Sequence, residues 1–142
     1  VGKHFERIRF VPRMTSADFL GLQAVVDVSL DTTHFSGGRT TYDALALGIP
    51  VVTLPGDFMR GRVTYACYRK MGFMDCVAAT PDDYIRIATR LANDQAWRAA
   101  VREKILSKRH VLFENRGFIL ELEQFFERAL QNAKTNTPGH NS

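Results

Sequence analysis

The stretch Ser36-Gly37-Gly38-Arg39-Thr40-Thr41 gathers the residue types that hold an anionic oxygen. Paired glycines let backbone amides approach a phosphate closely, the hydroxyls of Ser36, Thr40 and Thr41 can donate to it, and Arg39 adds a charge-assisted bond. Asp43 follows about one helical turn later and offers a carboxylate suited to the two hydroxyls of a ribose. On pattern alone, the same residues also make an ordinary tight loop with a threonine cap, because they match neither a Walker loop nor GxGxxG. The run Pro55-Gly56-Asp57-Phe58-Met59-Arg60-Gly61-Arg62 repeats the arrangement, with Arg60 and Arg62 either facing an anion or solvating a helix surface. Phe19 either stacks on a nucleobase or packs in the core. His4, His34, His110 and His140 lack partners at metal-ligand spacing, and there is no GxSxG elbow or placeable carboxylate pair, so neither a metal nor a cofactor is expected. The basic stretch Arg102, Lys104 and Lys108-Arg109-His110 reads as a solvated helix face, and Tyr65, Tyr68 and Trp97 as packing residues.

These residues need elements to position them, and the periodicity predicts an α/β chain. Ile8–Val11 reads as a first strand closed by Pro12. A helix capped by Thr15 or Ser16 runs through Gln23 and passes into a second strand within Val25–Leu30. The polar loop 31–39 leads to a helix from about Thr40 to Leu47, stopped by Gly48 and Pro50. Val51–Leu54 is an apolar, β-branched run suited to a strand buried on both faces. A helix over about 58–71 and a short strand over 75–78 complete a partial Rossmann-like parallel sheet flanked by helices. In such a sheet, ligands sit at the carboxyl ends of strands, where the glycine-threonine turn falls. Helices over about 81–92, 95–107 and 116–132 close the chain. Pro81 stands at the first position of one, and Leu120, Leu122, Phe125, Phe126 and Leu130 form the apolar stripe of the last. Residues 1–132 read as one lobe and 133–142 as a disordered tail.

Composition excludes several classes. A chain of 142 residues with 45% hydrophobic side chains can bury one core and is not intrinsically disordered. Nineteen Lys and Arg against 15 Asp and Glu leave a net charge of +4, with no interleaving of basic and aromatic residues, which disfavours a nucleic-acid binder. Cys67 and Cys76 are too few for a disulfide scaffold. No apolar run is long enough to span a membrane and no signal-peptide core is present, so a soluble, cytoplasmic protein with no membrane partner is expected. The chain starts at Val1 and enters structure at once, which predicts a piece of a longer protein. Strands missing before Val1 would leave a sheet edge open to self-association.

Taken in order, four runs carry a resemblance: Arg7-Ile8-Arg9-Phe10-Val11-Pro12-Arg13-Met14, Ala24-Val25-Val26-Asp27-Val28-Ser29-Leu30-Asp31, Gly37-Gly38-Arg39-Thr40-Thr41-Tyr42-Asp43-Ala44-Leu45, and Gly48-Ile49-Pro50-Val51-Val52-Thr53-Leu54-Pro55-Gly56. They resemble the C-terminal catalytic lobe of O-linked N-acetylglucosamine transferase-like proteins, in a bacterial branch, and the match covers nearly the whole chain. That family is often fused behind tetratricopeptide repeats and has the two-lobed B-type glycosyltransferase fold, whose C-terminal lobe holds the UDP of the sugar donor.

The resemblance implies that Gly38, Arg39 and Thr40 make the diphosphate turn and helix start, with Gly37 and Thr41 beside them in the UDP-sugar site, and that Asp43 bonds the ribose. It further implies that Phe19 packs on the uracil ring and that Met14 falls where backbone atoms read the uracil edge. It implies a UDP-sugar donor, no metal, and a protein acceptor for the full-length enzyme. Gly38 replaces a histidine of the animal enzymes, Arg39 a threonine, Ser16 a lysine and Leu22 an arginine, which leaves the sugar open. The family's catalytic base and a phosphate-facing lysine lie upstream of Val1, so no catalytic residue is expected in this chain and the piece alone is expected to be inactive. The alternative is a non-catalytic interaction module derived from a transferase lobe; the joint presence of Thr40 and Asp43 favours the donor site.

Overall fold

The computed structural model describes residues 2–135. Its sheet is small and parallel: β1 (Ser29–Leu30) pairs with β2 (Val51–Val52) in the register Ser29 to Val51 and Leu30 to Val52. A parallel pair needs a crossover, and α2 (Arg39–Ala46) supplies it. The helix stops because Gly48 takes a left-handed φ of +76° just beyond it, and Pro50 cannot extend it. Val51 and Val52 are both buried, as an apolar run in a covered sheet must be. A single parallel bridge from Thr53 to Val77 continues the sheet on its far side.

Helices pack around this nucleus. In α1 (Ser16–Val25) the Thr15 side chain caps by accepting from the Asp18 amide at 3.2 Å. A short 3-10 turn, Met59–Gly61, leads into α3 (Val63–Met71), which ends at Gly72 with φ +75°. In α4 (Pro81–Asn93) Thr80 accepts from the Asp83 amide at 3.1 Å, with Pro81 at the first turn where no amide is needed. Asp94 caps α5 (Gln95–Lys108) through the Trp97 amide at 2.9 Å. The final helix, α6, spans Arg116–Thr135.

The core joins Leu45, Ile49, Val51 and Val52 to Cys67, Tyr68 and Met71 of α3, Ile87 and Leu91 of α4, and Val101 and Ile105 of α5. Each fully buried Leu or Ile contributes roughly 1.5–3 kcal/mol. Tyr68 buries its ring and satisfies its hydroxyl by accepting from the Val51 amide at 2.9 Å, which ties α3 to the start of β2.

Three expectations differ from what forms. Ile8–Val11 is exposed and joins no strand, and the Ile8 amide instead donates to the Phe5 carbonyl at 3.0 Å. β1 offers only two rungs, and ordering four more residues on so short an edge costs more backbone entropy than the added bonds return. The segment 75–78 contributes one bridge instead of a strand, and the helix expected from residue 58 is split by the 3-10 turn at Met59–Gly61. The apolar stripe of α6 is exposed, with Leu120, Phe125, Phe126 and Leu130 all more than half open. Helix α6 runs to Thr135; the rest of the expected tail lies outside the described residues.

Two glycines separate conformational from packing roles. A Cβ at Gly48 would stand 2.8 Å from the Leu106 side chain at a left-handed φ, whereas Gly21 lies inside α1 with open space around it. Gly48→Ala should therefore destabilise by about 1–3 kcal/mol and Gly21→Ala should stabilise by up to about 1 kcal/mol, read from urea-unfolding midpoints.

Stability should also depend on alkaline pH. Burial pushes the Cys76 thiol up to about 12, and burial likewise raises Cys67 and the Tyr68 phenol. The folded state keeps these protons where the unfolded chain releases them. Stability is therefore complete below about pH 9 and falls above it, by up to about 1.4 kcal/mol per pH unit for each group. Urea titrations between pH 8 and 11 should show the slope, and Cys76→Ala should make it shallower.

Candidate functional site

At the carboxyl end of β1 stands Asp31, a buried carboxylate with three donors. Its Oδ2 accepts from Ser36 Oγ and from Thr53 Oγ1, each at 2.7 Å, and its Oδ1 accepts from the Gly37 amide at 2.8 Å. Ser36 Oγ lies 3.0 Å from Thr64 Oγ1, which lies 2.9 Å from Thr41 Oγ1. The loop after β1 is thereby fastened to β2, to the start of α3 and to the first turn of α2. Asp31 also donates its amide to the Val52 carbonyl at 2.9 Å and receives the Tyr84 hydroxyl on its own carbonyl at 2.9 Å. Burial, and then the Asp31 charge, raise the Tyr84 phenol.

Above this network, α2 begins without a side-chain cap, since Gly38 has no side chain to offer. Helices α1, α4 and α5 each have a capping oxygen at the N-cap position, whereas α2 and α3 have none. Uncapped amides and the positive end of the helix dipole favour an anion there. Gln23, buried on α1, donates to the Thr40 carbonyl at 3.1 Å and leaves its own Oε1 without a partner.

Beside that helix start lies a hollow of about 390 Å³, lined by Met14, Phe19, Arg39, Thr40 and Asp43 together with the chain 11–16. Five of the eight residues singled out in sequence thus share one cavity. Arg39 Nε is 3.5 Å from Asp43 Oδ2 across one turn of α2. The other three residues are placed differently. Thr41 is buried with its hydroxyl on Thr64, and Gly37 sits beneath the helix start, where a Cβ would come within 2.7 Å of the Thr40 and Thr41 hydroxyls. Both line a separate small hollow of about 130 Å³, which Thr40 also borders. Gly38 occupies the N-cap position, with open space where its side chain would be.

Sequence reasoning did not single out Asp31, Thr53 or Thr64 as builders of the site. The available signal was an aspartate at a strand end followed by a serine and glycine five and six residues on, the spacing that lets one carboxylate close a loop. Among the described residues, no three His, Cys, Asp or Glu side chains converge as a metal site would require, and no helix is long and apolar enough to cross a membrane.

Comparisons with known proteins agree on one group. The family model for glycosyl transferase family 41 matches residues 2–122. A probable UDP-N-acetylglucosamine--peptide N-acetylglucosaminyltransferase SPINDLY from Eustoma exaltatum subsp. russellianum is 30% identical over 128 residues, covering 87% of this chain and 14% of that protein. A UDP-N-acetylglucosamine--peptide N-acetylglucosaminyltransferase from Caenorhabditis elegans is 29% identical over 116 residues, 80% of this chain and 10% of that protein. Among solved structures, a mutant of the Thermobaculum terrenum O-GlcNAc transferase superposes with a TM-score of 0.81 at 36% identity, over 93% of this chain and 26% of that one. The helix-rich fold around a small parallel sheet is the fold of the matching part of that transferase. The chain spans a small fraction of each relative's length.

The network makes a stability prediction. Asp31→Ala strands two buried hydroxyls and one amide and should cost about 2–4 kcal/mol, whereas Ser36→Ala should cost about 1 kcal/mol. Chemical denaturation of the two variants checks this, and a smaller loss in Asp31→Ala than in Ser36→Ala would sink the assignment of Asp31 as the hub.

Proposed function

The chain belongs to glycosyl transferase family 41, and from that membership we propose that it is the UDP-sugar-binding part of an inverting protein O-glycosyltransferase of the O-GlcNAc transferase type. The observation that carries this reading is the shared hollow of Met14, Phe19, Arg39, Thr40 and Asp43 beside an uncapped helix start. Phe19 offers a ring face to the uracil and the backbone around Met14 its polar edge. Asp43 accepts from the ribose hydroxyls. The diphosphate meets the first amides of α2, the Thr40 hydroxyl and Arg39.

In the reaction, a serine or threonine hydroxyl of the acceptor protein attacks the anomeric carbon. The new C–O bond forms as the bond to the diphosphate breaks, the anomeric centre inverts, and UDP departs with the bonding pair. The hydroxyl proton passes to a base outside this chain. Negative charge builds on the leaving diphosphate, where α2 and Arg39 stabilise it. No metal is needed for that step. The B-type two-lobed architecture, the association with tetratricopeptide repeats, a bacterial source and a cytoplasmic setting belong to the same reading.

The free site is compatible with such a ligand. The Arg39–Asp43 contact is an i,i+4 pair between a half-buried carboxylate and an arginine side chain 76% accessible, so displacing it costs only about 0.3–0.5 kcal/mol. Calorimetric titration with UDP should detect binding, and Asp43→Ala should weaken it by about 1–3 kcal/mol, or roughly fivefold to 150-fold. Absence of UDP binding would favour the interaction-module alternative. Equal affinity of Asp43→Ala would remove the ribose role.

A further inference from the structure

Helix α1 stands apart from the core. Helices α2, α3, α4 and α5 each send buried apolar side chains into the central cluster, and α1 sends none. Its Phe19, Leu20 and Leu22 are half-buried, and its one fully buried side chain is Gln23. An amide at the single enclosed position of a helix must find partners that an apolar side chain would not need. Gln23 finds one of them. Its Nε2 donates to the Thr40 carbonyl at 3.1 Å, while its Oε1 is the one buried side-chain polar atom left without a partner among the described residues.

That bond runs between two elements of the hollow. Thr40 is the second residue of α2, and Gln23 follows Phe19 by one turn on the same face of α1. Among the described residues, no other hydrogen bond and no ion pair ties α1 to another element. The Thr40 carbonyl does not depend on Gln23, since the ladder of α2 supplies a donor four residues on. The bond therefore adds little to the stability of α2, and the orphan oxygen subtracts from that of the fold. What Gln23 fixes is the placement of α1, with its aromatic ring, against the start of α2.

We propose that Gln23 is a positioning residue: it holds α1 at the distance from the α2 start that lets one ligand touch the Phe19 ring and the first turn of α2 together. The proposal rests on the UDP reading above and adds to it the residue that sets the span between base and diphosphate. A side chain kept for that purpose is expected to be replaceable without loss of stability and not without loss of the base contact.

Gln23→Met preserves the length of the side chain and removes both the bond to Thr40 and the orphan oxygen. Its urea-unfolding midpoint should equal or exceed that of the unaltered chain. Saturation-transfer NMR with UDP reads the positioning, because uracil protons report contact with Phe19 and ribose protons contact with α2. Both sets should be saturated in the unaltered chain, and in Gln23→Met the uracil signal should fall about fivefold relative to the ribose signal. An unchanged ratio overturns the role of Gln23 and leaves the UDP reading standing. Signals that fall in step, a lowered midpoint or an unfolded variant make Gln23 a structural residue and overturn the proposal. A second measurement needs no variant: UDP should slow amide hydrogen exchange in α1 and in the first turn of α2 together, and slowing confined to α2 overturns the coupling. No saturation of either proton set in the unaltered chain overturns the UDP reading and the proposal with it.

Discussion

One buried carboxylate organises the carboxyl end of this sheet. Asp31 receives two hydroxyls and an amide, and its own main chain bonds to Val52 and Tyr84. A buried anion is tolerable only when its lone pairs are met, and the donors here come from two separate segments. Ser36 and Gly37 come from the loop, Thr53 from the end of β2, and Ser36 passes the connection on to Thr64 of α3 and so to Thr41 of α2. The helix start is thus held from below by side chains, which frees its amides above. A capping serine at position 38 would satisfy an amide of the first turn locally and remove the feature that makes the turn useful. Two strands of two residues each support a defined site because side-chain hydrogen bonds supplement the short ladder.

Much of the fold was legible because its signals are local. Thr15 and Thr80 cap helices, Pro81 opens one, Gly48 and Gly72 close two, and each depends on its near neighbours in sequence. The hollow was legible in part for the same reason: Arg39, Thr40 and Asp43 share one helix face, and Met14 and Phe19 flank one helix start. What escaped depends on distance. Ile8-Arg9-Phe10-Val11 alternates like a strand, but alternation states only that one face is apolar, and β1 offers it too short an edge. Leu120 to Leu130 has helical spacing and forms a helix, yet periodicity does not say what covers the stripe, and these side chains are exposed. Thr41 reads as a donor beside two glycines, whereas a residue 23 positions away takes its hydroxyl. The hub at Asp31 joins two donors from its own loop to Thr53, 22 positions away, and no short motif records that last meeting.

The pairing of Arg39 with Asp43 bears on why an arginine stands where the family resemblance implies a threonine. A ribose-binding carboxylate about 6 Å along the axis from a diphosphate site faces like-charge repulsion of roughly 3 kcal/mol per unit charge at an effective dielectric of about 20. A threonine at position 39 would donate one hydrogen bond but leave that repulsion in place. A guanidinium reaches both neighbours, since its Nε already lies 3.5 Å from Asp43 Oδ2 and its head is largely in solvent. When an anion arrives, the cation need not leave the carboxylate far behind; a small rotation sets it between two negative groups. Its hydrogen bonds to a phosphate are charge-assisted, each stronger than that of a neutral hydroxyl. The free pair keeps the helix start from presenting an isolated negative charge, and under the proposed UDP-sugar reading the same arginine would let a carboxylate and a diphosphate share one turn of helix.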